Sequence, residues 1–109
     1  MSTKPAAAQS EDVTAVNIEH ILPVNPSVEW KVTPEVAASY HKRLGNMVLL
    51  GSKDNVQIGN KLFAEKKKVF KDSPYLLTAE VAEYKSWGPN EITKHQIRLA
   101  QIAPKVWPL

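Results

Sequence analysis

Residues 16–26 show the pattern of a short β-strand followed by two prolines, and this pattern limits the folds that are open to the chain. Apolar and polar residues alternate across 16–21, which is the period of a β-strand with one buried face. Pro23 and Pro26 end that strand, because proline has no N–H to donate to a sheet. The run 47–50 follows Gly45 and predicts a second short strand that is fully apolar and buried. Two short strands among helical patterns indicate a small α+β domain.

Capping signals and apolar spacing predict four helices around these strands. The first begins after Thr33 as N-cap, with Pro34 at the first helical position, and Gly45 closes it. A turn at 51–54 precedes a basic helix that begins at Asn55, or as late as Asn60 because Gly59 weakens its first part, and ends near Lys71. A third helix over 79–86 is capped by Thr78, and a last one over 91–103 is capped by Asn90 and ended by Pro104. This order predicts a β-hairpin interrupted by an insertion, then a helix, then additional C-terminal helices.

The composition sets only broad limits on function. The length of 109 residues corresponds to one domain, and Lys plus Arg exceed Asp plus Glu by 14 to 11, a bias that permits nucleic-acid binding without requiring it. The chain has no cysteine, which excludes disulfides and cysteine-ligated zinc. With no apolar run long enough for a bilayer and no signal peptide, we expect a cytoplasmic location. Residues 1–13 are interpreted as a flexible leader or a cut end, and 14–109 as the functional domain.

Hydrolysis of a phosphodiester requires a base, a hard cation and cationic contacts to phosphate, and the chain offers candidates for each of these roles. His20 has the side-chain pKa suited to a general base that activates water. Glu19 and Asn55 offer the oxygen ligands that Mg²⁺ or Mn²⁺ prefers, and a single such ion would offset charge on the phosphate. Asn46 is predicted to orient the His20 ring through its amide oxygen. Lysines within 61–71 are predicted to contact the phosphate backbone of DNA.

Each of these residues also has an ordinary structural interpretation. Asn46 is typical of a helix-stop turn, Asn55 and Asn60 are typical of helix caps, and a lysine run usually forms a solvated helix face. Adjacent residues on a regular strand point to opposite faces, so Glu19 and His20 share a site only where the strand is twisted or ending. Trp30, Trp87 and Trp107 are interpreted as core anchors, and His41 and His95 as helix residues with a direct role less favoured.

The combined pattern resembles the HNH nuclease domain at the C-terminal end of GmrSD-type modification-dependent restriction proteins. The resemblance covers about residues 17–108 and rests on these matching positions: Glu19, His20, Pro23, Gly45, Asn46, Asn55, Asn60, Phe63, Lys66 and Trp107-Pro108. It implies a ββα-metal finger and divalent-metal-dependent cleavage of DNA, and it leaves open whether that DNA is modified. In the wider HNH class the residue before the histidine is usually Asp, whereas here it is Glu19.

The sequence therefore supports one favoured hypothesis and two alternatives. The favoured one is a metal-dependent endonuclease domain of a restriction or defence protein, with Lys61, Lys66, Lys67 and Asn60 contacting DNA. The first alternative is a non-catalytic DNA-binding module, and the second a helical interaction domain in which His20 belongs to the core. The resemblance also implies a ParB-like, nucleotide-using region upstream in the full-length protein. Because one finger per chain cuts one strand, a domain that cuts both strands would need two copies, and a homodimer is expected in that case.

Overall fold

The computed structural model describes residues 15–58 and 61–106, which form two strands and five α-helices. In chain order these elements are β1 (Val16–His20), α1 (Pro34–His41), β2 (Met47–Gly51), α2 (Ser52–Ile58), α3 (Phe63–Lys71), α4 (Leu76–Val81) and α5 (Pro89–Val106), with 3-10 turns at Val28–Trp30 and Leu44–Asn46. The predicted α+β class is confirmed. The predicted leader and Trp107 lie outside the described residues.

The two strands form an antiparallel sheet although α1 separates them in the sequence. In the register of the sheet Val16 pairs with Gly51 and His20 pairs with Met47. The helix between the strands begins as predicted, because the Thr33 hydroxyl accepts a hydrogen bond from the Val36 N–H at 3.2 Å. Both strands and the start of the insertion therefore lie where the local sequence signals predict. The predicted burial is wrong in part, because Leu49 of β2 is 46% exposed and Ile18 of β1, its partner in the sheet, is 60% exposed.

The predicted start of the basic helix at Asn55 is wrong, whereas the later start near Asn60, which Gly59 indicated, lies close to the observed start of α3, and the predicted end at Lys71 is confirmed. Two helices occupy this stretch: α2 begins at Ser52, directly after β2, where the sequence predicted a turn, and α3 begins at Phe63. The Lys61 N–H donates to the Ile58 carbonyl at 2.9 Å and closes the end of α2, while Leu62 is extended and caps α3. Gly59, between the two helices, is a poor helix former.

Two predicted caps lie inside helices instead of before them. Thr78 is in the middle of α4, and its hydroxyl donates to the Leu49 carbonyl at 2.8 Å, which joins α4 to β2. Asn90 is in the first turn of α5, since Pro89 occupies the first helical position, where its missing N–H costs nothing. Pro104 does not end α5, which continues to Val106.

Within the described residues, the apolar core lies between the sheet and the helices that pack against it. Its fully or nearly fully buried members include Ile21, Leu22, Leu50, Phe63, Phe70, Trp30, Trp87 and Ile92, so Trp30 and Trp87 are core residues as predicted. Gly45 permits the close approach of the 3-10 turn Leu44–Asn46 to α5, because a Cβ there would overlap the Ile92 carbonyl oxygen. Within the described ranges no helix is long and apolar enough to cross a membrane.

Candidate active site

Glu19 and His20 line one pocket, although they are neighbours on a strand. β1 ends at His20, so the alternation of a regular strand does not continue beyond this pair. The pocket encloses about 330 Å³ and is lined by Glu19, His20, Pro23, Val24, Asn25, His41 and Lys66. The end of the strand thus resolves the geometric conflict that the sequence posed, and brings a carboxylate and an imidazole together.

Lys66 holds the Glu19 carboxylate from inside the protein. The Lys66 Nζ donates to Glu19 Oε2 at 2.8 Å, to the Ile21 carbonyl at 2.8 Å and to the His20 carbonyl at 3.2 Å. The Lys66 side chain is only 1% exposed, and this burial lowers its pKa, while the Glu19 carboxylate raises it in opposition. Because all three ammonium donors are used within the protein, Lys66 stabilises the pocket and is not the solvated phosphate contact that the sequence predicted.

His20 is partly buried in the pocket and lies face to face with a second histidine. The ring centroids of His20 and His41 are 4.2 Å apart, with 22° between the ring planes. Burial lowers the pKa of His20, His41 lowers it further, and Glu19 opposes the change. A lowered pKa keeps the His20 imidazole neutral at neutral pH, which is the form that accepts a proton.

His41 also lines the pocket, although its position in the sequence did not favour a direct role. It is the last residue of α1, and its Nδ1 lies 2.9 Å from the Leu22 carbonyl oxygen. Since a carbonyl oxygen only accepts, Nδ1 carries a hydrogen and donates it to Leu22. Helical spacing alone could not place His41 beside His20, because the contact depends on how α1 packs against the segment after β1.

Asn46 has a different task from the predicted one. Its Oδ1 accepts hydrogen bonds from the Leu22 N–H at 2.8 Å and the Trp87 Nε1–H at 2.9 Å. Its Nδ2 donates to the carbonyls of Leu22 and His41, both at 3.0 Å. The amide oxygen is therefore occupied, and the prediction that it orients the His20 ring is wrong. Asn46 is fully buried and instead joins the segment after β1 to the end of α1.

Of the remaining predicted site residues, Lys61 and Lys67 are described by the structure and do not line the pocket. Lys61 is exposed, consistent with a solvated contact, whereas the Lys67 Nζ donates to the Tyr84 carbonyl at 2.9 Å and ties α3 to the chain beyond α4. Asn55 belongs to α2, but its side chain lies outside the described part of the structure, and Asn60 lies outside it altogether. The roles given to Asn55, Asn60 and Lys61 stay predictions.

The donors in the pocket fit a hydrated metal ion rather than an all-protein cage. Among the described residues no group of three or more His, Asp or Glu side chains could hold a metal. Lys66 binds Glu19 Oε2, and among the described residues no hydrogen bond engages Oε1. One carboxylate oxygen in an open pocket suits Mg²⁺, which keeps several waters and takes further ligands from a substrate phosphate. The chemistry of the pocket is therefore compatible with the predicted ion.

The fold and the pocket define a small α+β domain with a histidine and carboxylate site at the end of a two-stranded sheet. The family model of the C-terminal domain of GmrSD restriction endonucleases matches residues 2–102, and the chain belongs to this family. The resemblance seen in the sequence is confirmed, and it gives the domain a role related to restriction endonucleases, with DNA as the implied substrate. Comparisons with curated proteins and with solved structures gave no significant match.

Proposed function

We propose that this domain is an HNH-type endonuclease that cleaves DNA with the help of a divalent metal ion. In this proposal β1, β2 and α2 form the ββα-metal finger, and His20 is the general base. The observation that carries the proposal is the His20 imidazole, which is held neutral in an open pocket next to the Glu19 carboxylate. Membership of a restriction endonuclease family supports the same function.

His20 supplies the proton acceptor for attack by water on the phosphate. A neutral imidazole nitrogen takes a proton from a water molecule aligned with the phosphorus, the new P–O bond forms, and the bond to the 3′ oxygen breaks. The products carry a 5′ phosphate and a 3′ hydroxyl, the latter protonated from solvent. The lowered pKa of His20 means that this residue does not first have to lose a proton at neutral pH.

Glu19 and Asn55 are the residues that would hold Mg²⁺ or Mn²⁺. When bound, the ion offsets negative charge on the phosphate and on the leaving oxygen. The Lys66 ammonium fixes the orientation of the Glu19 carboxylate by donating to Oε2, and so directs Oε1 to a constant position. The exposed Lys61 is the lysine proposed to contact a flanking phosphate.

The test is nicking of supercoiled plasmid by the purified domain in Mg²⁺, in Mn²⁺ and in EDTA. We expect cleavage with either ion and none in EDTA, and we expect His20→Ala to abolish it. His95→Phe is the matched control, because it removes a histidine that lies outside the pocket, and it should cut like the wild type. Cleavage by His20→Ala at the wild-type rate would contradict the assignment of the base.

A second candidate function is DNA binding without catalysis, and the Lys66 contact favours it. The Lys66 ammonium already neutralises Glu19, so the carboxylate attracts a metal ion less strongly than a free one would. Such a module keeps its DNA affinity in EDTA and does not nick DNA under any metal condition. Gel-shift titration in EDTA, run beside the nicking assay, separates the two functions.

Light scattering of the same preparations tests the predicted homodimer.

A further inference from the structure

The His20 ring is held by a contact with another ring. In many hydrolases the general base is oriented by a hydrogen bond from a third group. Within the described ranges no hydrogen bond to the His20 ring nitrogens is found, and the oxygen of Asn46 is occupied elsewhere. The close contact of the His20 ring is the stack on His41, at 4.2 Å between centroids. Rotation of the His20 ring out of the pocket would break this stack.

His41 is itself fixed by a set of hydrogen bonds that reaches the core. Its Nδ1–H donates to the Leu22 carbonyl, and its own carbonyl accepts from the Asn46 amide. The same amide also donates to the Leu22 carbonyl, and the Asn46 oxygen accepts from the indole N–H of Trp87. Trp87 is a buried core residue, so the orientation of the His41 ring is set by the packed interior.

We propose that His41 is a positioning residue for His20, acting through the flat face of its ring. The proposal rests on the function proposed above, in which His20 is the base. His41 transfers no proton in this proposal: its Nδ1 donates to the Leu22 carbonyl, and the stack does not need its other ring nitrogen. A planar apolar side chain should therefore replace His41, whereas a side chain without a ring should not.

The first experiment compares His41→Ala with His41→Phe in single-turnover nicking at saturating domain concentration, alongside DNA affinity by titration. Misplacement of a catalytic group lowers the chemical step strongly, so we expect His41→Ala to cut about 10- to 100-fold more slowly with nearly unchanged DNA affinity. His41→Phe keeps the stack and should recover most of the lost rate. His41→Leu, which fills the space without a planar face, replaces His41→Ala if that variant folds poorly, and should be slow.

Two outcomes of this experiment would overturn the proposal. If His41→Phe is as slow as His41→Ala, the nitrogens of His41 matter and the ring face does not suffice. If His41→Ala cuts at the wild-type rate, the stack has no part in catalysis.

The second experiment does not depend on cleavage and separates this proposal from the proposed function. Aromatic NMR spectra of the domain alone, assigned with His20→Ala, report the ring signals of His20. We expect His41→Ala to shift these signals and to remove the cross-ring nuclear Overhauser contacts, and His41→Phe to retain such contacts. If the wild type does not nick DNA but these spectra change as expected, the endonuclease proposal fails while the positioning contact stands. Unchanged His20 signals in His41→Ala would refute the positioning contact itself.

Discussion

The buried ion pair between Lys66 and Glu19 makes a direct prediction about single residues. Removing one partner of a buried pair leaves an uncompensated charge and costs about 3–5 kcal/mol. We expect the loss of stability in Glu19→Ala to lie near the lower end of this range, because two carbonyls still accept hydrogen bonds from the Lys66 ammonium. Urea unfolding at neutral pH measures the loss. Glu65→Ala is the matched control: its partner is Lys68 at 3.6 Å on the surface, and its loss should stay within about 1 kcal/mol.

Asn46 provides a second prediction, which separates a structural role from a catalytic one. Asn46→Ala leaves the N–H groups of Leu22 and Trp87 without their acceptor, and each such loss costs about 1–3 kcal/mol. We expect a fall of several kcal/mol in the free energy of unfolding. Asn17→Ala removes an exposed bond to Ser52 and should change little. If the Asn46→Ala domain is as stable as the wild type but inactive, Asn46 acts in catalysis and the structural role is refuted.

The sequence predicted the pair of residues that are adjacent in the chain, gave Lys66 a different role from the observed one, and did not favour His41. Glu19 and His20 could be assigned together because one short motif contains both. Lys66 was predicted to face solvent, but Phe63, Lys66 and Phe70 recur at helical spacing and occupy one buried face of α3. That spacing was a signal for its burial. No comparable signal pointed to His41, since its position depends on the Leu22 carbonyl after β1.

At the scale of elements, the contact between the turn Leu44–Asn46 and α5 predicts a strong difference between two glycines. A Cβ at Gly45 would overlap backbone atoms of α5, which cannot move away as a side chain could. Gly45→Ala should therefore cost at least about 1–3 kcal/mol, the usual penalty for overpacking. A Cβ at Gly51 meets no atom within 4 Å, so Gly51→Ala should hardly change the stability. Thermal unfolding of both variants measures the difference. Equal stability of the two variants would show that α5 does not pack against this turn.

The elements that the sequence predicted correctly were those with a clear local signal. The alternation before Pro23 predicted β1, and Thr33-Pro34 predicted the start of α1. The helices after β2 were placed poorly, because their bounds follow from tertiary contacts such as the Thr78 hydroxyl on the Leu49 carbonyl. A threonine before an apolar run has the pattern of a cap whether or not its hydroxyl is needed by a neighbouring strand.

For the whole molecule, buried histidines predict that stability falls in mildly acidic solution. His95 is 1% exposed among the rings of Tyr84 and Trp87, and burial lowers its pKa below 6.5, with Glu80 opposing and Arg98 adding to the change. The unfolded chain therefore binds more protons than the folded domain once the pH falls below about 6.5, and the free energy of unfolding decreases.

Urea unfolding between about pH 7.5 and about pH 5.5 measures this effect above the range where carboxylates titrate. His95→Phe removes the group and should flatten the dependence. In His95→Phe the free energy of unfolding should still decrease as the pH falls, but less steeply, because the pKa of His20 is also lowered. A wild-type domain with equal stability at both ends of the range would contradict the prediction.

The pocket has a consequence for how the domain is made during translation. Lys66 follows His20 by 46 residues and lies in α3, so the Glu19 carboxylate has no cation to hold it until that helix has left the ribosome. Asn46, which fixes His41, is anchored by Trp87, a residue synthesised later still. A half-made chain therefore carries the Glu19-His20 pair without the arrangement around it. The site becomes complete only when α3 and the segment that carries Trp87 pack onto the earlier part of the chain.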